Sequence, residues 1–136
     1  IVGVLMAFLT FNFLGVRIRA RDGQRKSDIR QIQSALELYR ADNGAYPQSS
    51  VLATCGGAFT SGGATYMQKI PCDPKNSTTP YTYTAAPSSC TTACTTYILG
   101  SCIENTNDKD AVTPRPASLP TTFTCSPAYY FVANNP

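Results

Sequence analysis

The chain has 136 residues, enough for one domain with one modest core. Only 14% of them are charged, the net charge is +3 and histidine is absent. Histidine-based catalysis is thereby excluded, and a zinc site would have to use cysteine alone. The six cysteines (Cys55, Cys72, Cys90, Cys94, Cys102, Cys125) show no CxxC spacing, so they read as disulfides formed in an oxidising compartment.

The first element is Ile1 to Val16, IVGVLMAFLTFNFLGV, which carries no charge and has Asn12 as its one strongly polar side chain. A membrane span takes about 20 apolar residues, so this run is slightly short, and we expect the hydrophobic segment to begin upstream of Ile1. A signal peptide would end in a small-residue cleavage site, whereas this run passes straight into Arg17. The block 17–30 holds Arg17, Arg19, Arg21, Arg25, Lys26 and Arg30 against Asp22 and Asp28. It carries +4 and the remainder of the chain −1. We read it as the solvated collar of an anchored helix, with Asp22 and Asp28 as candidate internal partners for its cations. The scarcity of positive charge elsewhere argues against nucleic acid as a partner.

Further on, Ile29, Ile32, Leu36 and Tyr39, flanked by Ala35 and Leu38, form a stripe at helical spacing. Asn43-Gly44 supplies a helix stop and Pro47 prevents resumption. No proline interrupts residues 1–46, so the pattern predicts one helix from Ile1 to about Asp42, about 63 Å long. A head of this size has a radius of gyration of about 13 Å. Residues 1–19 are therefore expected to project as an apolar rod, and residues 20–136 to form the head. In the head, Gln48 to Thr65 reads as loop, Tyr66 to Ile70 as one helical turn and Asp73 to Asn76 as a turn. Pro80 to Thr84, Thr95 to Glu104 and Ala128 to Ala133 read as strands. The expected class is α+β, a long helix on a small antiparallel sheet with disulfide-tied loops. No phosphate-binding loop, catalytic triad or paired-carboxylate site is visible, so an enzyme is not expected.

The stretch from Ile1 to Pro47, above all DIRQIQSALELYRADNGAYP, resembles the N-terminal helix of bacterial type IV pilins and type II secretion pseudopilins. TYMQKIPCDPKN resembles the segment that follows it in the major pseudopilin. The resemblance covers Ile1 to Asn76. It implies the type IV pilin fold and a structural subunit that builds a helical homo-oligomer. The main expectation is an extracellular type IV pilus-like filament at the cell surface, with roles in adhesion or motility. The alternatives are a secretion pseudopilin or a DNA-uptake pilin. The subunit would sit in the inner membrane before assembly and be handled there by assembly machinery. Members of this family begin with a methylated residue and an early glutamate, neither of which is present here. The mid-helix proline usual in the family would fall near Phe11.

On this reading Ile1, Val2, Gly3, Val4, Leu5, Met6, Ala7, Phe8, Leu9, Phe11, Phe13, Leu14 and Gly15 form the filament core. Gly3, Ala7 and Gly15 would permit close helix approach. The Arg17–Arg30 block would make inter-subunit ion pairs. The six cysteines allow 15 pairings; one set joins Cys55 to Cys72, Cys90 to Cys94 and Cys102 to Cys125. No cofactor is required, but Glu104, Asn105, Asn107, Asp108 and Asp110 make an oxygen-rich turn that could take calcium, against the plainer reading of a solvated turn. Asn76, Ser77, Thr78, Thr79, Ser88, Ser89, Thr91 and Thr92 are glycosylation candidates in a Ser/Thr- and Pro-rich region, with O-linkage preferred.

Overall fold

The computed structural model covers residues 1–136 and describes every side chain except those of residues 8–12. The expected core residues Phe8, Leu9 and Phe11 fall outside the described side chains. Helix α1 runs over Val2–Asn43 without a break. It ends where Gly44 takes a left-handed conformation (φ 76°) and returns its N–H to the Arg40 carbonyl at 2.7 Å. This is the backbone state that glycine enters without steric cost. The chain then turns back along the head. Tyr46 is buried beneath Arg40 and donates its hydroxyl to Glu37 Oε1 at 2.7 Å.

Two small sheets lie on the inward face of α1. The first is a hairpin of β1 (Phe59–Ser61) and β2 (Ala64–Met67). The second is antiparallel, in the order β3 (Thr82–Ala86), β4 (Thr96–Cys102), β5 (Tyr130–Asn134), with Tyr83 opposite Leu99 and Gly100 opposite Val132. Ile29, Ile32, Ala35 and Leu36 of α1 meet Tyr81, Tyr83, Ala85, Tyr97 and Leu99 in one core. The opposite face of β4 is covered at Gly100 by Leu119 and Phe123; a Cβ at Gly100 would lie 2.8 Å from Leu119 Cδ2. This α+β, pilin-like architecture is the class expected from the sequence.

Two local readings need correction. Tyr66 and Met67 belong to strand β2 and not to a helical turn, and the segment 48–65 is more than loop. It holds a 3-10 turn at Ser49–Leu52 and strand β1. The hairpin forms because Gly62 and Gly63 both take positive φ (57° and 85°), the requirement of a tight two-residue β-turn. Phe59, Tyr66 and Tyr39 of α1 then cluster with ring centroids 5.1–5.5 Å apart. Such aromatic packing outweighs the weak helical preference of Tyr66 to Ile70.

The three disulfides are Cys55–Cys72, Cys90–Cys94 and Cys102–Cys125. The first closes the loop that carries the hairpin. The third ties the end of β4 to the segment that covers it.

Candidate assembly site

The first sixteen residues leave the head as a continuation of α1. Val2, Val4, Leu5, Met6, Phe13, Leu14 and Val16 are 60–72% exposed, and Ile1 is fully so. A Cβ built at Gly3 or Gly15 would meet nothing within 4 Å. The described part of the rod is thus a run of large apolar side chains that the head does not cover. Contiguous apolar surface of this kind marks an interaction site. Among the described residues, no helix is long and apolar enough to cross a membrane.

The rod's orientation depends on how α1 is fixed to the head, and at the end of the packed helix nearest the rod charge takes over from the apolar core. The apolar stripe continues toward the N-terminus as Asp28, Arg25, Asp22 and Arg21, at the same spacing. Arg25 and Asp22 are buried, with side chains 2% exposed. Arg25 makes a two-pronged contact with Asp73, Nε to Oδ2 at 2.7 Å and Nη2 to Oδ1 at 3.0 Å. Its Nη1 donates to Asp22 Oδ1 and to Glu104 Oε1, both at 2.7 Å. Arg21 grips Glu104 through Nε and Nη2, also at 2.7 Å each. Asp22 in turn accepts the backbone N–H groups of Glu104 and Asn105 at 3.1 and 2.8 Å. Each carboxylate oxygen of Asp22, Asp73 and Glu104 therefore gains a charged or backbone donor, the condition under which a buried ion cluster is tolerated.

These partners differ from those expected. Arg21, Arg25 and Lys26 are not a solvated collar but turn into their own head. Arg17, Arg19 and Arg30 remain exposed. Asp22 pairs with Arg25 as anticipated. Asp28 takes neutral partners instead: it accepts from Gln24 Nε2 at 2.6 Å and from the buried Tyr81 hydroxyl at 2.7 Å. Asp73, missed in the sequence, lies 48 positions from Arg25. The available signal was charge at stripe positions 22 and 25, where a core-facing helix should be apolar.

Glu104 shows the electrostatics most clearly. Hydrogen bonds from Arg21, which outweigh the cost of burial, and then from Arg25 hold its pKa down at about 2. A depressed carboxylate pKa contributes stability that is complete above the unfolded value, near 4.3, and is lost as pH falls through the folded value. The head should therefore lose thermal stability progressively between about pH 4.3 and about pH 2. Glu104→Gln should be less stable at neutral pH and flatter over that window. Melting curves between pH 2 and 7 check this; parallel curves for the two proteins would contradict it.

The acidic side chains of the oxygen-rich turn at 104–110 face cations of α1. Glu104 is engaged by arginines, and Asp108 and Asp110 both contact Lys26. Among the described residues, no group of carboxylates or cysteines is arranged to hold a metal ion. Asn76, Ser77, Thr78, Thr79, Ser88, Ser89, Thr91 and Thr92 are all exposed.

Comparison with curated proteins and with solved structures gave no significant match. The family model of type II secretion system protein G matches residues 12–111, from the rod through the core and the ion cluster to the acidic turn. That span is well over half of the chain, and with the long helix on a small antiparallel sheet it places this chain in the type II secretion system protein G family, the major pseudopilins, a structural and not an enzymatic family.

Proposed function

We propose that the chain is a self-assembling subunit of a type II secretion pseudopilus, whose copies pack their apolar rods into a common core. The family match favours this alternative over the surface-pilus reading. The observation that carries it is the run of exposed Val2, Val4, Leu5, Phe13, Leu14 and Val16 on a helix that continues into the head. Before assembly the same surface requires a bilayer, and inner-membrane machinery would extract it. Burial of each large apolar side chain contributes about 1.5–3 kcal/mol, so transfer from lipid to a helical core need cost little. The exposed Arg17, Arg19 and Arg30 lie where a neighbouring head would meet the rod and are available for ion pairs between subunits.

Cross-linking tests this reading. All six native cysteines are paired, so Leu5→Cys with Leu14→Cys supplies the only free thiols. Oxidation in cells that express the assembly machinery should give a ladder of multimers. Monomer alone would refute the proposal.

One observation keeps a surface filament as a second reading. Exposed hydroxyls include two groups, Ser77 to Thr79 and Ser88 to Thr92, on polar loops suited to glycans that shield a long-lived external polymer. That reading predicts a mass above the bare chain on intact-mass measurement. A mass equal to the chain less the six hydrogens of its three disulfides would remove the glycan argument.

A further inference from the structure

The acidic turn that closes against the base of α1 already contains a cation. Lys26 Nζ lies 2.6 Å from Asp108 Oδ1 and 2.7 Å from Asp110 Oδ2. It also stands 5.8 Å from the centroid of the Phe131 ring on β5. Backbone N–H groups of the turn also donate to its side-chain oxygens. Asp108 Oδ1 accepts the Asp110 N–H at 2.9 Å, and Asn105 Oδ1 accepts the Asn107 N–H at 3.2 Å. Glu104 faces Arg21 and Arg25. Beyond the turn, Val112 and Tyr130 exchange backbone hydrogen bonds at 2.7 and 2.9 Å, which fixes it to the start of β5.

A calcium ion takes six to eight oxygens at about 2.3–2.6 Å. Here two carboxylates converge on one ammonium, with an aromatic ring nearby that adds cation–π attraction. A dication in the same place would meet the charge of Lys26 and would have to expel it. We propose that Lys26 is the built-in counter-cation of the Asn105–Asp110 turn, so that the head holds this loop without a divalent metal. Removal of that one charge should convert the turn into a divalent-cation site. Burial opposes the charged form of Lys26, but Asp108 and Asp110 outweigh it and its pKa lies above the ordinary lysine value. The carboxyl of Asp108 is correspondingly held below its ordinary value, hydrogen bonds from Lys26 and the Asp110 N–H overcoming its own burial.

The test uses the full chain in detergent, with melting followed in EGTA and in calcium chloride. Wild type should give the same Tm in both and show no saturable calcium binding by calorimetry. Lys26→Gln, which keeps most of the stem, should melt about 5 °C lower in EGTA. It should recover about half of that loss in calcium, because a ligand bound only by the folded state raises Tm, and should bind calcium in the calorimeter. Asp108→Asn in the Lys26→Gln background should abolish both responses. A Tm of wild type that rises with calcium, or calcium binding by wild type below about 1 mM, would overturn the proposal. So would Lys26→Gln that melts with wild type and ignores calcium. Should Lys26→Gln not fold in EGTA, its folding in calcium supports the proposal and its failure in both overturns it.

Discussion

Arg25→Leu should destabilise the head by about 3–5 kcal/mol, because it removes the shared partner of three carboxylates and returns none of them to water. Asp22 is as buried as Arg25, and Asp73 and Glu104 are only 16% and 15% exposed. Leucine fills much of the vacated volume, so the loss will be electrostatic more than steric. At 4–8 °C per kcal/mol the melting temperature should fall by more than about 10 °C. Arg25→Lys should recover only a minor part, since a single ammonium cannot reproduce the fork that holds Asp73 through two nitrogens while reaching Asp22 and Glu104. The deficit should also shrink in acid. Orphaned buried carboxylates take up protons more readily, whereas the wild-type cluster loses stability as pH drops toward about 2, where Glu104 titrates. Thermal melts at pH 7 and pH 3 measure both effects. A loss under about 1 kcal/mol at pH 7 would mean that the cluster is no more than an exposed ion-pair set.

The same cluster marks the limit of what local sequence could show. Gly44 and Pro47 end α1 through backbone geometry alone, so the helix was legible within one residue at its far end. Ile29, Ile32 and Leu36 declared the core face by spacing. The strands over 82–86, 96–102 and 130–134 were visible as alternating runs, each displaced by a residue or two because pairing partners, not propensity, set their ends. The hairpin at 59–67 was missed because Gly62-Gly63 reads equally well as loop punctuation. Only its contact with Tyr39, some 20 positions away, makes it a sheet. The fates of Arg21, Arg25 and Lys26 were illegible for a related reason. Their partners Asp73, Glu104, Asp108 and Asp110 come from loops, and a basic run next to an apolar one looks the same whether it faces water or its own head. Lys26 in particular decides how the acidic turn is read, and nothing in the turn's own residues announces it.

The rod offers the other large effect, and there the head should be indifferent. Leu5→Asp should abolish filaments while leaving the soluble part of the melting curve unchanged, because Leu5 is exposed and far along α1 from the core. A carboxylate buried among apolar helices without a partner costs several kcal/mol per subunit, and every subunit in a filament meets that cost. Gly3→Leu and Gly15→Leu probe a subtler point. Neither glycine has a neighbour within 4 Å of a built Cβ, so the free subunit has room for leucine at both. If the glycines let helices approach closely in the assembled core, each leucine should cost about 1–3 kcal/mol by overpacking, which lowers the association constant by about 5- to 150-fold. Filament yield counted by electron microscopy at matched subunit levels distinguishes the cases. Loss with Leu5→Asp alone would keep an apolar core and reject close packing at Gly3 and Gly15. Undiminished filaments in all three variants would mean that the rod does not drive assembly, since a core made of these helices cannot accept an unpaired carboxylate at residue 5 of every copy.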